Sequence, residues 1–159
     1  MTDNLEQKTE GKNPLIKVVT LGLNSTIEMI TIANFIDGIE EPRLGIVEHS
    51  ELIEGRGGPA WVSIKDMNVL GQKYDVRVDC FGGLGMDYWE RELMKKSPDI
   101  TLIGDILHYD TPNWLRDSLG DIATKAGAKI IKKYYWTDPS EELIDALNQY
   151  HKNLTGERK

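Results

Sequence analysis

Cysteine is nearly absent from the chain: Cys80 is the only one in 159 residues. A lone thiol excludes an internal disulfide and any thiolate cluster for zinc or iron–sulfur. Basic charge is also short, with 19 Lys and Arg against 26 Asp and Glu for a net charge of -7. Binding to phosphate backbones needs clustered cations, and the only short group is Lys129, Lys132 and Lys133, so nucleic acid is not expected as a partner. Long hydrophobic runs are missing as well. Nothing approaches the roughly 18 apolar residues that span a bilayer, and the opening Met1-Thr2-Asp3-Asn4-Leu5-Glu6 lacks the basic and apolar regions of a signal peptide. No membrane partner and a cytoplasmic location are therefore expected. There is no internal repeat, no low-complexity segment, no G-x-G-x-x-G and no G-x-x-x-x-G-K-[ST].

What is present suits one domain with a single core: 40% of the residues are hydrophobic. The domain is expected over 14–151, after a flexible polar arm at 1–13 and before a polar tail at 152–159. The clearest unit is Pro98 to Trp136. Ile100 to Leu107 is a nearly unbroken apolar run, as for a strand covered on both faces and placed centrally in a parallel sheet. Thr111-Pro112 supplies a cap and a first-turn proline, and Leu115, Leu119, Ile122, Ala123 and Ala126 repeat at helical spacing up to Gly127. Ala128 to Tyr135 then reads as an edge strand guarded by lysines.

Earlier in the chain, Leu15 to Leu21 is a buried-type strand. It runs into Gly22-Leu23-Asn24-Ser25-Thr26, where Ser25 and Glu28 form a capping box for a helix through Ile27, Ile30, Ala33 and Phe35 to Asp37-Gly38. Leu44 to Val47 is a short second strand ending at Glu48-His49. Between Ser50 and Asp75, Trp61 to Leu70 fits either a strand or a helix; a helix from about Ser63 to Gln72 is preferred, whereas an added strand at Trp61 to Ile64 would make the sheet mixed. Val76 to Phe81 alternates with period two as a third strand, followed by Gly82-Gly83-Leu84-Gly85 and a helix carrying Asp87, Glu90, Trp89 and Leu93. The last helix begins at Asp138-Pro139 and presents Leu143, Leu147, Tyr150 and Leu154 on one face. Five strands alternating with helices predict a doubly wound, mostly parallel, flavodoxin-like or Rossmann-like sheet of order 2-1-3-4-5.

In such a sheet, ligands bind beyond the carboxyl ends of the strands where the order reverses. That places Gly22, Asn24, Ser25 and Thr26 opposite Gly82, Gly83 and Gly85, with His49 beside them. Both loops open a helix, whose free N–H groups suit a phosphate or carboxylate, so a small anionic ligand or cofactor of unnamed identity is the expected partner. The glycines would serve equally for tight turns alone. Arg56, in Gly55-Arg56-Gly57-Gly58-Pro59, could clamp the anion from a loop. Trp61, Trp89, Trp114 and Trp136 all fall towards the same edge, where they could stack on a ligand, fill a homo-oligomeric or larger interface, or pack in the core.

Among titratable residues, His108 and Asp110 share a face of an extended segment and could form an oriented base, with Asp105 nearby. This supports a rival reading as a small hydrolase or transferase. A third reading is a non-catalytic interaction subunit with an aromatic interface. No metal site is assigned, and Cys80 reads as a small buried hydrophobe. The Pro98 to Trp136 unit resembles the last βαβ of flavodoxin-like families such as corrinoid-binding and receiver domains. The corrinoid pattern D-x-H-x-x-G does not follow the first strand, where Gly22-Leu23-Asn24-Ser25-Thr26 stands, and the receiver's acidic pair is missing too. Neither family is assigned, since fold alone does not give function.

Overall fold

A computed structural model describes residues 13–22, 25–38, 44–52, 60–81, 86–104, 112–134 and 139–156. The apolar run Leu15–Leu21 forms strand β1, with the bounds its pattern predicts. On one side it pairs in parallel with β4 (Gln72–Phe81) and on the other with β5 (Ile100–Ile103), whose four residues are all buried. Strand β6 (Ile130–Lys133) lies outside β5 as a parallel edge strand. Its lysines are held by acids of the flanking helices, Lys132 by Asp145 and Glu142 and Lys133 by Asp117 at 2.8 Å, so this edge is charged as expected.

The other half of the sheet departs from expectation. Strands β2 (Ile46–Leu52) and β3 (Ala60–Val69) extend it in an antiparallel meander, giving six strands in the order β2-β3-β4-β1-β5-β6. Three of the five pairings are parallel. The predicted helix at Ser63 to Gln72 is thus a hairpin. The physical reason is a register shift between Ile64 and Met67: buried residues run Ala60, Val62, Ile64, then Met67 and Val69, and the three-residue step imitates a helical one. The two-residue turn is disguised as well. Leu70 and Gly71 both take positive φ, 52° and 93°, as mirror-image hairpin turns require, but a leucine stands where Asn or Gly is usual. Because the meander carries the chain from β2 through β3 to β4, the second strand cannot lie beside the first. The five-strand order 2-1-3-4-5 and the flavodoxin-like assignment that rests on it are replaced.

Four helices are described: α1 (Ser25–Asp37), α2 (Met86–Lys96), α3 (Asn113–Lys125) and α4 (Pro139–Thr155). They cover both faces. Met29, Ile32 and Ile36 of α1 and Leu143, Ala146 and Leu147 of α4 join one core, whereas Trp89 and Leu93 of α2 and Leu115, Leu119 and Ala123 of α3 join the other. The sheet is therefore doubly wound. α1 is apolar on more than one side and exposes Ile30 and Phe35. α3 starts one residue late, with Pro112 as its cap rather than its first residue. At its other end Gly127 (φ 106°) closes it, with Gly127 N–H donating to Thr124 C=O and Ala128 N–H to Ala123 C=O, both at 3.0 Å. α4 continues through Lys152–Thr155, which reads as tail in the sequence. Among the described residues no helix is long and apolar enough to cross a membrane.

Candidate functional site

Strands β1 and β4 run side by side, yet the helix after β1 joins one face and the helix after β4 joins the other. Their carboxyl ends are the place where a doubly wound sheet opens a crevice. This is the junction the sequence pointed to, reached through a different strand order. The N–H of Gly22 donates to the Phe81 carbonyl at 3.0 Å, so the starts of the two glycine-bearing loops are tied together. On the far side of β1, Gly104 N–H donates to Leu21 C=O at 2.9 Å.

One side chain stands out at this junction, and it was read in the sequence only as a helix cap. Glu28, in the first turn of α1, folds its carboxyl back onto the strand, where Oε1 accepts a 2.7 Å hydrogen bond from the Thr20 hydroxyl. Its Oε2 lies directly over Gly22: a Cβ there would come within 1.6 Å of it. Glycine at position 22 is thus needed for close approach of this carboxyl. The residue as a whole is only half-buried, but the carboxyl group itself is enclosed by protein. Burial, partly offset by the Thr20 hydroxyl, raises its pKa from 4.5 to about 7. A group balanced near neutrality can give or take a proton at physiological pH. The signal available in the sequence was weak: Thr20, Gly22 and Glu28 fall together only once the strand, turn and helix are in place.

Cys80 is register partner to Thr20 and fully buried. Burial, the nearby Glu28 carboxyl and Asp79 push its thiol up, with Thr20 acting in the opposite sense. It stays a protonated core side chain and not a nucleophile. Asp79 sits at the next position and is held by Arg77 at 3.0 Å and Lys96 at 3.8 Å; the Arg77 guanidinium also lies 4.0 Å from the centre of the Trp61 ring.

The remaining sequence candidates divide in two. Asn24, Arg56, Gly82, Gly83, Gly85, Asp105, His108 and Asp110 lie outside the described residues, as does Trp136. Ser25 and Thr26 open α1, and His49 pairs with Ser63 across β2 and β3, but their side chains are also outside. The three described tryptophans have different surroundings. Trp89 is 3% exposed in the α2/α3 core, Trp61 is half-buried beneath Arg77, and Trp114 is 66% exposed in the first turn of α3. Among the described residues no three of His, Cys, Asp and Glu come together to hold a metal ion. No protein-family model and no curated protein matches the chain, so the chemistry of this edge has to be read from its own residues.

Proposed function

We propose that the protein binds a small anionic ligand or cofactor at the carboxyl edge between β1 and β4, as a cytoplasmic protein working in an oligomer or larger complex. The observation that carries the reading is the Glu28 carboxyl, enclosed against Thr20 and Gly22 at the point where α1 begins. An enclosed ionisable group costs stability, and such groups concentrate at functional sites. The first-turn N–H groups of α1 supply donors for the ligand's anionic end.

A second reading, acid–base chemistry of the hydrolase or transferase kind, draws on the same carboxyl, because a group near pH 7 is suited to proton transfer. In that reading Glu28 joins or replaces the His108 and Asp110 pair. Native mass spectrometry of the purified full chain tests the binding reading first. A retained adduct that is lost in Asn24→Ala and Gly83→Val supports it. An adduct that persists in both variants, or a bare monomer that shows no thermal shift with phosphorylated and carboxylated small molecules, overturns it.

A further inference from the structure

The exposed charges of the protein are sorted along the strand direction. Helices α2, α3 and α4 run from the carboxyl edge of the sheet to its amino edge, and their exposed acids, Asp87, Glu90, Asp117, Asp121, Glu141 and Asp145, lie ahead of the last turn. At the amino edge, the exposed ionisable side chains among the described residues are lysines. Lys65 and Lys73 lie on β3 and β4, Lys95 and Lys125 in the last turns of α2 and α3, Lys129 before β6 and Lys152 near the end of α4. The acids there are half-buried: Asp37 closes α1, Asp66 and Asp75 accept from the Asn13 amide at 2.7 and 2.9 Å, and Asp99 accepts from the Lys17 N–H at 2.9 Å. A chain of net charge -7 thus presents a cationic end. The β3–β4 hairpin projects from it, because Leu15, the first residue of β1, is level with Asp75, and Gln72 to Tyr74 and the turn stand beyond. At the tip, Leu70 is 51% exposed at φ 52°, where Asn or Gly would fit with less strain. On the helix joined to the hairpin by His151 and Tyr74, Leu154 is 59% exposed one turn further towards the same end. A leucine at the tip costs both backbone strain and exposed apolar surface, and such an outlier points to a contact.

We infer that the amino edge docks on the surface of an anionic lipid bilayer, with Leu70 and Leu154 entering the headgroup layer and the surrounding lysines meeting the lipid charges. Adsorption of this kind needs no spanning helix. Charge selects the partner: a second copy turned edge to edge would set lysine against lysine, whereas an anionic surface complements every exposed charge of this end. Shape selects it as well. The tip is convex, and a headgroup layer deforms around it where a partner protein would need a pocket cut to fit. The hairpin and the end of α4 carry no arginine and no exposed aromatic ring on which nucleic acid bases would stack. Each lysine at such a surface strengthens adsorption about fivefold, so a few of them with two leucines give reversible binding. The β1/β4 carboxyl edge would then face away from the bilayer, and the inference does not depend on what binds there.

Co-sedimentation of the full chain with vesicles is the test, using phosphatidylcholine alone and phosphatidylcholine mixed with phosphatidylserine, at low and at high salt. Binding is expected only to the mixed vesicles, and it should be lost at high salt as the Debye length shortens. Leu70→Asn separates anchoring from folding, because Asn followed by Gly71 suits the turn. Its thermal midpoint should stay level or rise while vesicle binding weakens about tenfold. Lys73→Gln and Lys152→Gln should each weaken binding about fivefold with the fold intact. Equal binding to both kinds of vesicle, or to neither, overturns the inference. Binding that Leu70→Asn leaves unchanged overturns it too, since the hairpin tip is then no anchor. If polyglutamate is bound with the same lysine dependence and vesicles are not, the partner is an acidic protein. Self-association in sedimentation velocity that the lysine variants abolish would assign this edge to the acidic end of another copy. Either of these last results refutes the bilayer.

Discussion

On the α1/α4 face, two polar contacts lie at opposite ends of the β1/β4 pair. At the amino end, the Tyr74 hydroxyl meets His151 Nδ1 at 2.7 Å, with the rings edge to face at 5.8 Å, and both residues are buried. At the carboxyl end, the Thr20 hydroxyl meets Glu28. Burial pushes the Tyr74 phenol upward from its ordinary value, so it keeps its proton. That pair fastens the last turns of α4 to the β3–β4 hairpin. The carboxyl end holds a group whose charged form is disfavoured by its surroundings, with a single hydroxyl working against that. One contact joins two buried rings, and the other holds a carboxyl whose pKa burial raises to about 7. The difference lies in the carboxyl, whose anionic form burial disfavours, whereas the Tyr74 phenol keeps its proton.

The largest expected effect follows from that asymmetry. The folded-state pKa of Glu28 is raised above its unfolded value, so its contribution to stability is fully present below pH 4.5 and is lost as pH rises to about 7. The loss amounts to roughly 3 kcal/mol, at about 1.4 kcal/mol per pH unit. Urea unfolding across this window should show the wild type losing stability relative to Glu28→Gln as pH rises, by about that amount. A difference that is constant with pH would show that the carboxyl is not enclosed, and the contrast between the two ends would collapse.

Much of this contrast was out of reach of the sequence, for physical reasons. The strand Leu15–Leu21, the helix stop at Gly127 and the charged β6 edge were legible because each depends on local pattern. The hairpin was not, because the bulge after Ile64 changes the period and Leu70 stands at a positive-φ turn position. The adjacency of β1 and β4 was legible from the strand pattern. The placement of the Glu28 carboxyl was not, since Glu28 satisfies the pattern of a capping box and only tertiary structure brings it over Gly22. His151 is a parallel case: nothing local in the sequence points to Tyr74, 77 positions away, against which it is buried.

The fastening is tested next, with an effect of intermediate size. Tyr74→Phe leaves His151 Nδ1 enclosed without its donor and should cost about 1–3 kcal/mol. His151→Leu leaves the phenol unmatched and should cost a similar amount. The double variant should be less destabilised than the sum of the two, because both polar groups are then gone. A double-mutant cycle by urea unfolding measures this, and strict additivity would mean that the contact contributes no coupling.

Two glycines give the finest test, since they are expected to respond with opposite signs. Gly22→Ala would drive a Cβ into the Glu28 carboxyl and push it from its seat, costing about 1–2 kcal/mol and narrowing the pH window described above. Gly120, in the middle of α3, has no such occupant: a Cβ there would meet only the Ile131 methyl at 3.8 Å, an ordinary contact. A glycine inside a helix gives up backbone entropy on folding that alanine does not, so Gly120→Ala should raise stability by about 0.5–1 kcal/mol. Its thermal midpoint should rise equally at pH 5 and pH 8, because the position is remote from Glu28. Destabilisation by Gly120→Ala would mean that the groove beside Asp117, Asp121 and Lys133 needs the space that the glycine leaves.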